Sequence, residues 1–199
     1  MGKGGFGMEG NLAYQYQDQD ERQTELLNGK IVLMSPRPLV DHNRVVVNIV
    51  SSFRSYLRGK TCETFSDGTD VYLTKKDRVI PDVMIICDKS IIKRRGIYGT
   101  PSLIVEVLSH GTEKRDRGYK KDLYESCGVG EYWLVDPEGK TVEVYLLENG
   151  KYRLDEVYKI FPDYVVFEPG EREKYKDEVK VSLYQDFFIP LTDIFENVT

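Results

Sequence analysis

Two short runs, Asp82–Cys87 (DVMIIC) and Leu103–Leu108 (LIVEVL), constrain this chain more than any other feature. Both are apolar on the two alternating faces, the pattern of central strands covered on both sides. A sheet with two buried faces needs packed material above and below it, so the runs predict an α/β core. Each run also carries an acid. Asp82 follows Pro81 at the start of the first, and Glu106 lies inside the second, aligned by alternation with Ile104 and Leu108. An unpaired carboxylate is expensive to bury, so something must compensate it. A divalent cation is one solution; a hydrogen-bonded structural acid or a strand-end position is the other.

The segments around these runs are readable at lower resolution. Residues 1–10 are Gly-rich and are expected to be a mobile segment, with residues 11–199 forming a single domain. Residues 11–27 fit a polar helix ending at Asn28-Gly29, or alternatively Asn28-Gly29 is a two-residue hairpin turn between Thr24–Leu27 and Lys30–Met34. Ser35-Pro36-Arg37-Pro38 breaks the chain. His42, Val46, Ile49, Val50, Phe53, Tyr56 and Leu57 recur at helical spacing and predict a helix over 41–58, with Asp41 as N-cap and Gly59 as its stop. Cys62–Phe65 and Asp70–Thr74 are further β-prone segments. Glu131–Val135, Thr141–Leu147 and Lys151–Val157 read as a meander, and Glu168–Glu178 as a polar surface loop or hairpin tip.

Between the second acidic strand and the meander, Glu113–Ser126 reads as a helix closed by Gly128. Lys114, Arg117, Lys121 and Glu125 share one face and look like solvated charges. Lys120 lies opposite most of them, among Asp116, Leu123, Tyr124 and Cys127, on the face that should pack against the sheet. A lysine there either finds an anionic partner, which the strand carboxylates or their substrate could supply, or snorkels to solvent.

The net charge is −5, which excludes a general polyanion binder. From Lys89 to Lys121, however, nine bases (Lys89, Lys93, Arg94, Arg95, Lys114, Arg115, Arg117, Lys120, Lys121) face only Glu106, Glu113 and Asp116. This segment reads as a local basic face able to receive a phosphate backbone, or as ordinary solvated surface. Tyr98, Tyr119 and Tyr124 beside it fit base stacking or, more simply, packing; Trp133 fits the core and His110 a surface loop. Cys62, Cys87 and Cys127 are few, odd in number and far apart, so neither a disulfide framework nor a cysteine-rich zinc site is expected. The start of the sequence lacks the apolar core of a signal peptide, and no run approaches the roughly 18 apolar residues that span a membrane. A cytoplasmic location is the expectation. No P-loop, G-x-S-x-G, H-E-x-x-H or helix-opening G-x-G-x-x-G occurs.

Taken in order, Pro81-Asp82-Val83, Pro101-Ser102-Leu103-Ile104-Val105-Glu106-Val107-Leu108-Ser109, Asp116-x-x-x-Lys120-x-x-x-Tyr124 and Gly128-Val129-Gly130-Glu131-Tyr132-Trp133-Leu134-Val135-Asp136-Pro137 resemble the Uma2 (DUF820) family of restriction-endonuclease-like proteins, within the PD-(D/E)XK nuclease superfamily. The likeness runs from about Glu25 to Phe195, and Glu25-Leu26-Leu27-Asn28-Gly29-Lys30-Ile31-Val32 and His42 also look like family positions. The resemblance implies a restriction-endonuclease-like mixed β-sheet flanked by helices, with extra antiparallel strands. It implies Asp82 and Glu106 as acidic ligands of Mg²⁺ or Mn²⁺, with the backbone carbonyl of Val107 completing the set. The superfamily's usual lysine two residues after the second acid is absent, because Leu108 stands there; Lys120 on the following helix matches the family's displaced lysine. Ser109-His110-Gly111-Thr112 departs from the family's common Ser-Pro-Ser-Thr, which affects local loop shape rather than the acids. Glu25 and His42 line the same cavity or serve structure.

The resemblance thus implies a metal-dependent endonuclease that hydrolyses phosphodiester bonds of nucleic acid, with DNA the expected substrate, using Asp82, Glu106 and Lys120 as catalytic groups. Homodimerisation stays open, and no membrane partner is expected. The alternative is a catalytically silent nuclease fold that binds nucleic acid or protein as a regulatory module. A third reading is a purely structural partner-binding domain.

Overall fold

The computed structural model describes residues 23–34 and 39–199. The expected mobile segment 1–10, most of the alternative 11–27 helix and the 35–38 breaker lie outside the described residues.

The described chain begins with a hairpin of β1 (Thr24–Leu27) and β2 (Lys30–Leu33), in register from Thr24↔Leu33 to Leu27↔Lys30. Asn28 and Gly29 have φ of 49° and 75°, the left-handed pair that a tight hairpin turn demands. The hairpin alternative therefore holds, and Thr24–Leu27 is not helical. Helix α1 (Val40–Leu57) follows and buries Val45, Val46, Ile49, Phe53 and Leu57. Asp41 does not cap it. Leu39 holds the N-cap position without a side-chain bond, and the Asp41 carboxylate instead accepts from Arg44 and from Thr199 Oγ1, 2.7 Å each. Gly59, with φ +76°, ends the helix as expected.

The remaining strands are β3 (Glu63–Ser66), β4 (Val71–Tyr72), β5 (Arg78–Val79), β6 (Val83–Ile86), β7 (Ile92–Lys93), β8 (Gly96–Tyr98) and β9 (Leu103–Val107). A helical segment comes next: one turn of α2 (Glu113–Arg115), a π-helical turn over Asp116–Lys120, and α3 (Lys121–Cys127), closed by Gly128 in left-handed conformation. After it come the meander β10 (Glu131–Asp136), β11 (Thr141–Glu148) and β12 (Lys151–Lys159), the pair β13 (Glu178–Lys180) and β14 (Phe188–Pro190), and the short α4 (Leu191–Ile194). The polar stretch before β13 is exposed over most of its length, with a single 3-10 turn at Arg172–Lys174.

These strands form two large mixed sheets. The central sheet has the order β12-β11-β10-β9-β6-β3, parallel only between β9 and β10. The second has the order β2-β1-β5-β4-β8-β7. The two apolar runs of the sequence, β6 and β9, lie side by side inside the central sheet, and every residue of both is buried. One face of that sheet, carrying Val83, Ile85, Val105 and Trp133, packs under α1 and the C-terminal residues. Phe53 meets Trp133 edge-on at 5.6 Å. The opposite face, carrying Met84, Ile86, Ile104 and Leu134, packs against Leu27, Val71, Val79 and Ile97 of the second sheet and against Leu123 and Tyr124 of the helical segment. The mixed-sheet core matches expectation, but helices cover only part of its second face: a β-layer does the rest.

One cysteine expectation fails. Cys62 and Cys87 form a disulfide. The β3–β6 register pairs Glu63 with Ile86, so the next position outward sets Cys62 opposite Cys87. Their separation of 25 residues hides a contact that only strand pairing creates. Cys127 remains a free thiol.

Candidate active site

Strand register brings the two acids together. The β6–β9 ladder pairs Met84 with Ile104 and Val83 with Val105, so one step further Asp82 stands opposite Glu106. Like charges placed directly across a ladder repel, and each acid is held by its own donors. Asp82 Oδ2 accepts from the backbone N–H of Val107 at 2.7 Å, and its Oδ1 lies 3.4 Å from His42 Nε2. Glu106 is 3 % exposed, and its Oε1 accepts from Lys120 Nζ at 3.0 Å and from the Tyr124 hydroxyl at 2.6 Å. No hydrogen bond from a described residue reaches its other oxygen. Burial pushes the Glu106 carboxyl well above the ordinary range, against the opposing pull of Lys120.

Lys120 is buried, so the partnered alternative holds over snorkelling. Its ammonium lies 2.9 Å from Glu25 Oε1, 3.0 Å from Glu106 Oε1 and 3.6 Å from Asp116 Oδ1. Burial disfavours its charge, but the three surrounding acids outweigh burial and hold its pKa above the ordinary lysine value. Glu25 comes from β1 of the second sheet and is fully buried, its Oε1 also accepting from Ile80 N at 3.1 Å. The π-helical turn matters here. It spans Asp116–Lys120 directly after Arg115, all three residues line the cavity, and such turns gather at functional sites.

Glu131 shows what a purely structural acid looks like in the same sheet. It is fully buried, yet it is satisfied by neutral donors, Trp133 Nε1 at 2.6 Å and the backbone N–H of Ser182 at 2.8 Å, with the Ser182 hydroxyl as well. Glu106 differs in holding a buried ammonium and in lining a cavity of about 330 Å³ with Asp82, Val107, Lys120 and His42. Burial pushes the His42 imidazole down, but the Asp82 hydrogen bond and the charges of Asp82 and Asp67 lift it above its usual value.

Asp67, Asp116 and Arg115 also line this cavity, and sequence reasoning did not single them out as site residues. Ser66 pairs with Val83, so Asp67 falls opposite Asp82, making a row Asp67–Asp82–Glu106 across β3, β6 and β9. Burial and the Asp82 charge push the Asp67 carboxyl up. Only the pairing of β3 with β6 reveals it. Asp116 did have a signal, its four-residue spacing from Lys120.

Of the nine bases from Lys89 to Lys121, four are engaged by other side chains of the protein. Lys120 is buried, Lys89 pairs with Glu63 at 2.8 Å, Arg117 pairs with Glu113 and Glu143, and Lys121 lies over the Tyr145 ring. The tyrosines pack rather than stand free: Tyr98 stacks on Tyr72, Tyr119 bonds Asp77, and Tyr124 bonds Glu106. His110 is exposed at the cavity edge.

The donor set suits a hard divalent cation. Among the described residues no three His, Cys, Asp or Glu side chains gather closely enough to hold a metal ion. A cation here would rest on two carboxylates and the Val107 carbonyl. All are oxygen donors, and so sparse a set fits an ion that keeps several waters.

The chain is similar to known proteins. Residues 11–170 match the Uma2 family, described as "Putative restriction endonuclease". The chain is 28 % identical over 133 residues to the uncharacterized protein slr1290 of Synechocystis sp., covering 66 % of this chain and 70 % of the relative. A crystal structure of "a putative nuclease belonging to DUF820" from Anabaena variabilis superposes with a TM-score of 0.62 at 20 % identity, covering 92 % of this chain and 94 % of that one, which shows a shared fold. With the match spanning most of its length, the chain belongs to the Uma2 family.

Proposed function

We propose that this protein is a divalent-metal-dependent endonuclease that hydrolyses phosphodiester bonds in DNA, with Asp82, Glu106 and Lys120 as its catalytic groups. The observation that carries the proposal is the buried Lys120 ammonium 3.0 Å from Glu106, in a cavity that Asp82 also lines. Asp82, Glu106 and the Val107 carbonyl would hold Mg²⁺ or Mn²⁺. When bound, the ion supplies Lewis-acid polarisation of the phosphate and a more acidic water.

The chain's own residues do the positioning. Val107 N–H and His42 fix the Asp82 carboxylate from two sides. Lys120 and Tyr124 fix the Glu106 carboxylate through one oxygen, and the other, which accepts no hydrogen bond from a described residue, would ligate the ion. Lys120, its charge favoured by three surrounding acids, orients or activates the water or stabilises charge on the pentacovalent phosphorus. Glu25 and Asp116 balance its charge from behind.

Incubating single- and double-stranded DNA with the protein, with and without Mg²⁺, tests the proposal. Cleavage that needs the metal and disappears in Glu106→Ala supports it. Nucleic-acid binding indifferent to both EDTA and Glu106→Ala would instead identify a silent nuclease fold.

A further inference from the structure

One charged side chain in the cavity wall is left unused by this chemistry. Arg115 ends α2, immediately before the π-helical turn, and lines the cavity with its side chain 18 % exposed. Among the described residues its guanidinium donates no hydrogen bond, and its Nε is buried without a partner. The nearest acid atom is Glu25 Oε2 at 3.8 Å, itself buried and without a hydrogen bond. That separation balances charge but engages none of the arginine's donors. Lys120 and His42 each face a carboxylate of the site, Glu25 and Glu106 for Lys120 and Asp82 for His42, whereas Arg115 holds none within hydrogen-bond distance.

A half-buried guanidinium that donates to no described residue, its Nε buried without a partner, is a group an incoming anion would engage through its more exposed nitrogens. Its planar fork of five donors matches the oxygens of a phosphate group better than a point charge does. The cavity, about 330 Å³, is at the small end of ligand pockets, so one backbone phosphate with its sugar, rather than a whole duplex, is what enters. Asp67, Asp82 and Asp116 would repel that phosphate elsewhere in the cavity, which leaves Arg115 as its landing point.

We propose that Arg115 binds a backbone phosphate of a nucleic-acid strand within this cavity, through guanidinium donors that no other described residue occupies. The inference takes its ligand class from the nuclease reading but needs neither the metal nor the cleavage step. Fluorescence anisotropy of a labelled oligothymidylate, titrated in EDTA over a series of KCl concentrations, tests it. In Arg115→Met the affinity should fall about tenfold, and the slope of log K against log salt should shrink by about 0.7, the signature of one lost phosphate contact on a single strand. Arg115→Lys, which keeps the charge, should keep the slope. If Arg115→Met does not fold by circular dichroism, Arg115→Gln gives the same reading. No binding by the wild type, an unchanged slope, or weaker affinity with an unchanged slope would each overturn the proposal, the last indicating a packing role against Glu25. Because the titration reads no cleavage, a lost slope beside an inactive wild type would keep the Arg115 site and remove the nuclease reading. Metal-dependent cleavage beside an unchanged slope would do the reverse.

Discussion

The Lys120 ammonium stands 3.0 Å from Glu106 Oε1 and 2.9 Å from Glu25 Oε1, joining a strand of the central sheet to a strand of the second sheet through one buried cation. Removing the cation leaves buried acids uncompensated. Lys120→Met should destabilise the fold by about 3–5 kcal/mol, the range for breaking a buried ion pair from one side. Urea denaturation followed by circular dichroism reads this directly, and a loss well under about 1 kcal/mol would mean the acids are already neutral.

Tyr124 contributes a hydrogen bond as well as packing. Its hydroxyl donates to the same Glu106 oxygen at 2.6 Å from a fully buried ring. Tyr124→Phe keeps the ring and deletes the bond, so it should cost about 1.5–3 kcal/mol, as for a bond to a charged group. The same denaturation curve measures it, and a neutral outcome would show that Lys120 alone satisfies Glu106.

Asp77 ties the second sheet to the helical segment and makes stability depend on acid pH. Its carboxylate accepts from Asn28 N at 2.7 Å, Thr74 Oγ1 at 2.6 Å and Tyr119 OH at 2.6 Å. Burial pushes its pKa up, but these donors outweigh burial and hold it below the ordinary value. A carboxyl with a depressed folded pKa stabilises above its unfolded pKa of about 3.9 and loses that contribution as pH falls through the folded value. The stability gap between wild type and Asp77→Asn should therefore be full at neutral pH and close below about pH 4. A gap constant down to pH 2 contradicts the assignment.

The Cys62–Cys87 bond leaves Cys127 as the single free thiol. Protein purified without reductant and denatured should titrate one thiol per chain with Ellman's reagent, and three after reduction. Three thiols before reduction would show that the pair stays open.

Periodicity made much of this structure legible. The two doubly apolar runs are buried neighbours in the central sheet, α1 buries most of the stripe its spacing marks, and Lys120 is buried, the partnered one of the two alternatives its helical face left open. What stayed hidden depends on pairing between distant segments. Asp67 joins the acid row, and Cys62 meets Cys87, only because β3 runs antiparallel to β6 in one register. Glu25 enters through a strand of another sheet, and its place was visible only through resemblance. Arg115 looked like one more surface base because a regular helix gives no hint of the π-helical turn after it.

The central claim is that Asp82, Glu106 and Lys120 form a metal-dependent nuclease site. Its most direct measurement is the cleavage of DNA by wild type, Glu106→Ala and Lys120→Met, each verified as folded, in Mg²⁺ and in EDTA. Cleavage by the wild type in Mg²⁺ alone, reduced at least a hundredfold in both variants, as loss of a charge-stabilising group at the reacting centre produces, is the predicted result. A folded wild type that cuts no form of nucleic acid in Mg²⁺ or Mn²⁺, or cleavage that persists in EDTA or in Glu106→Ala, would contradict it.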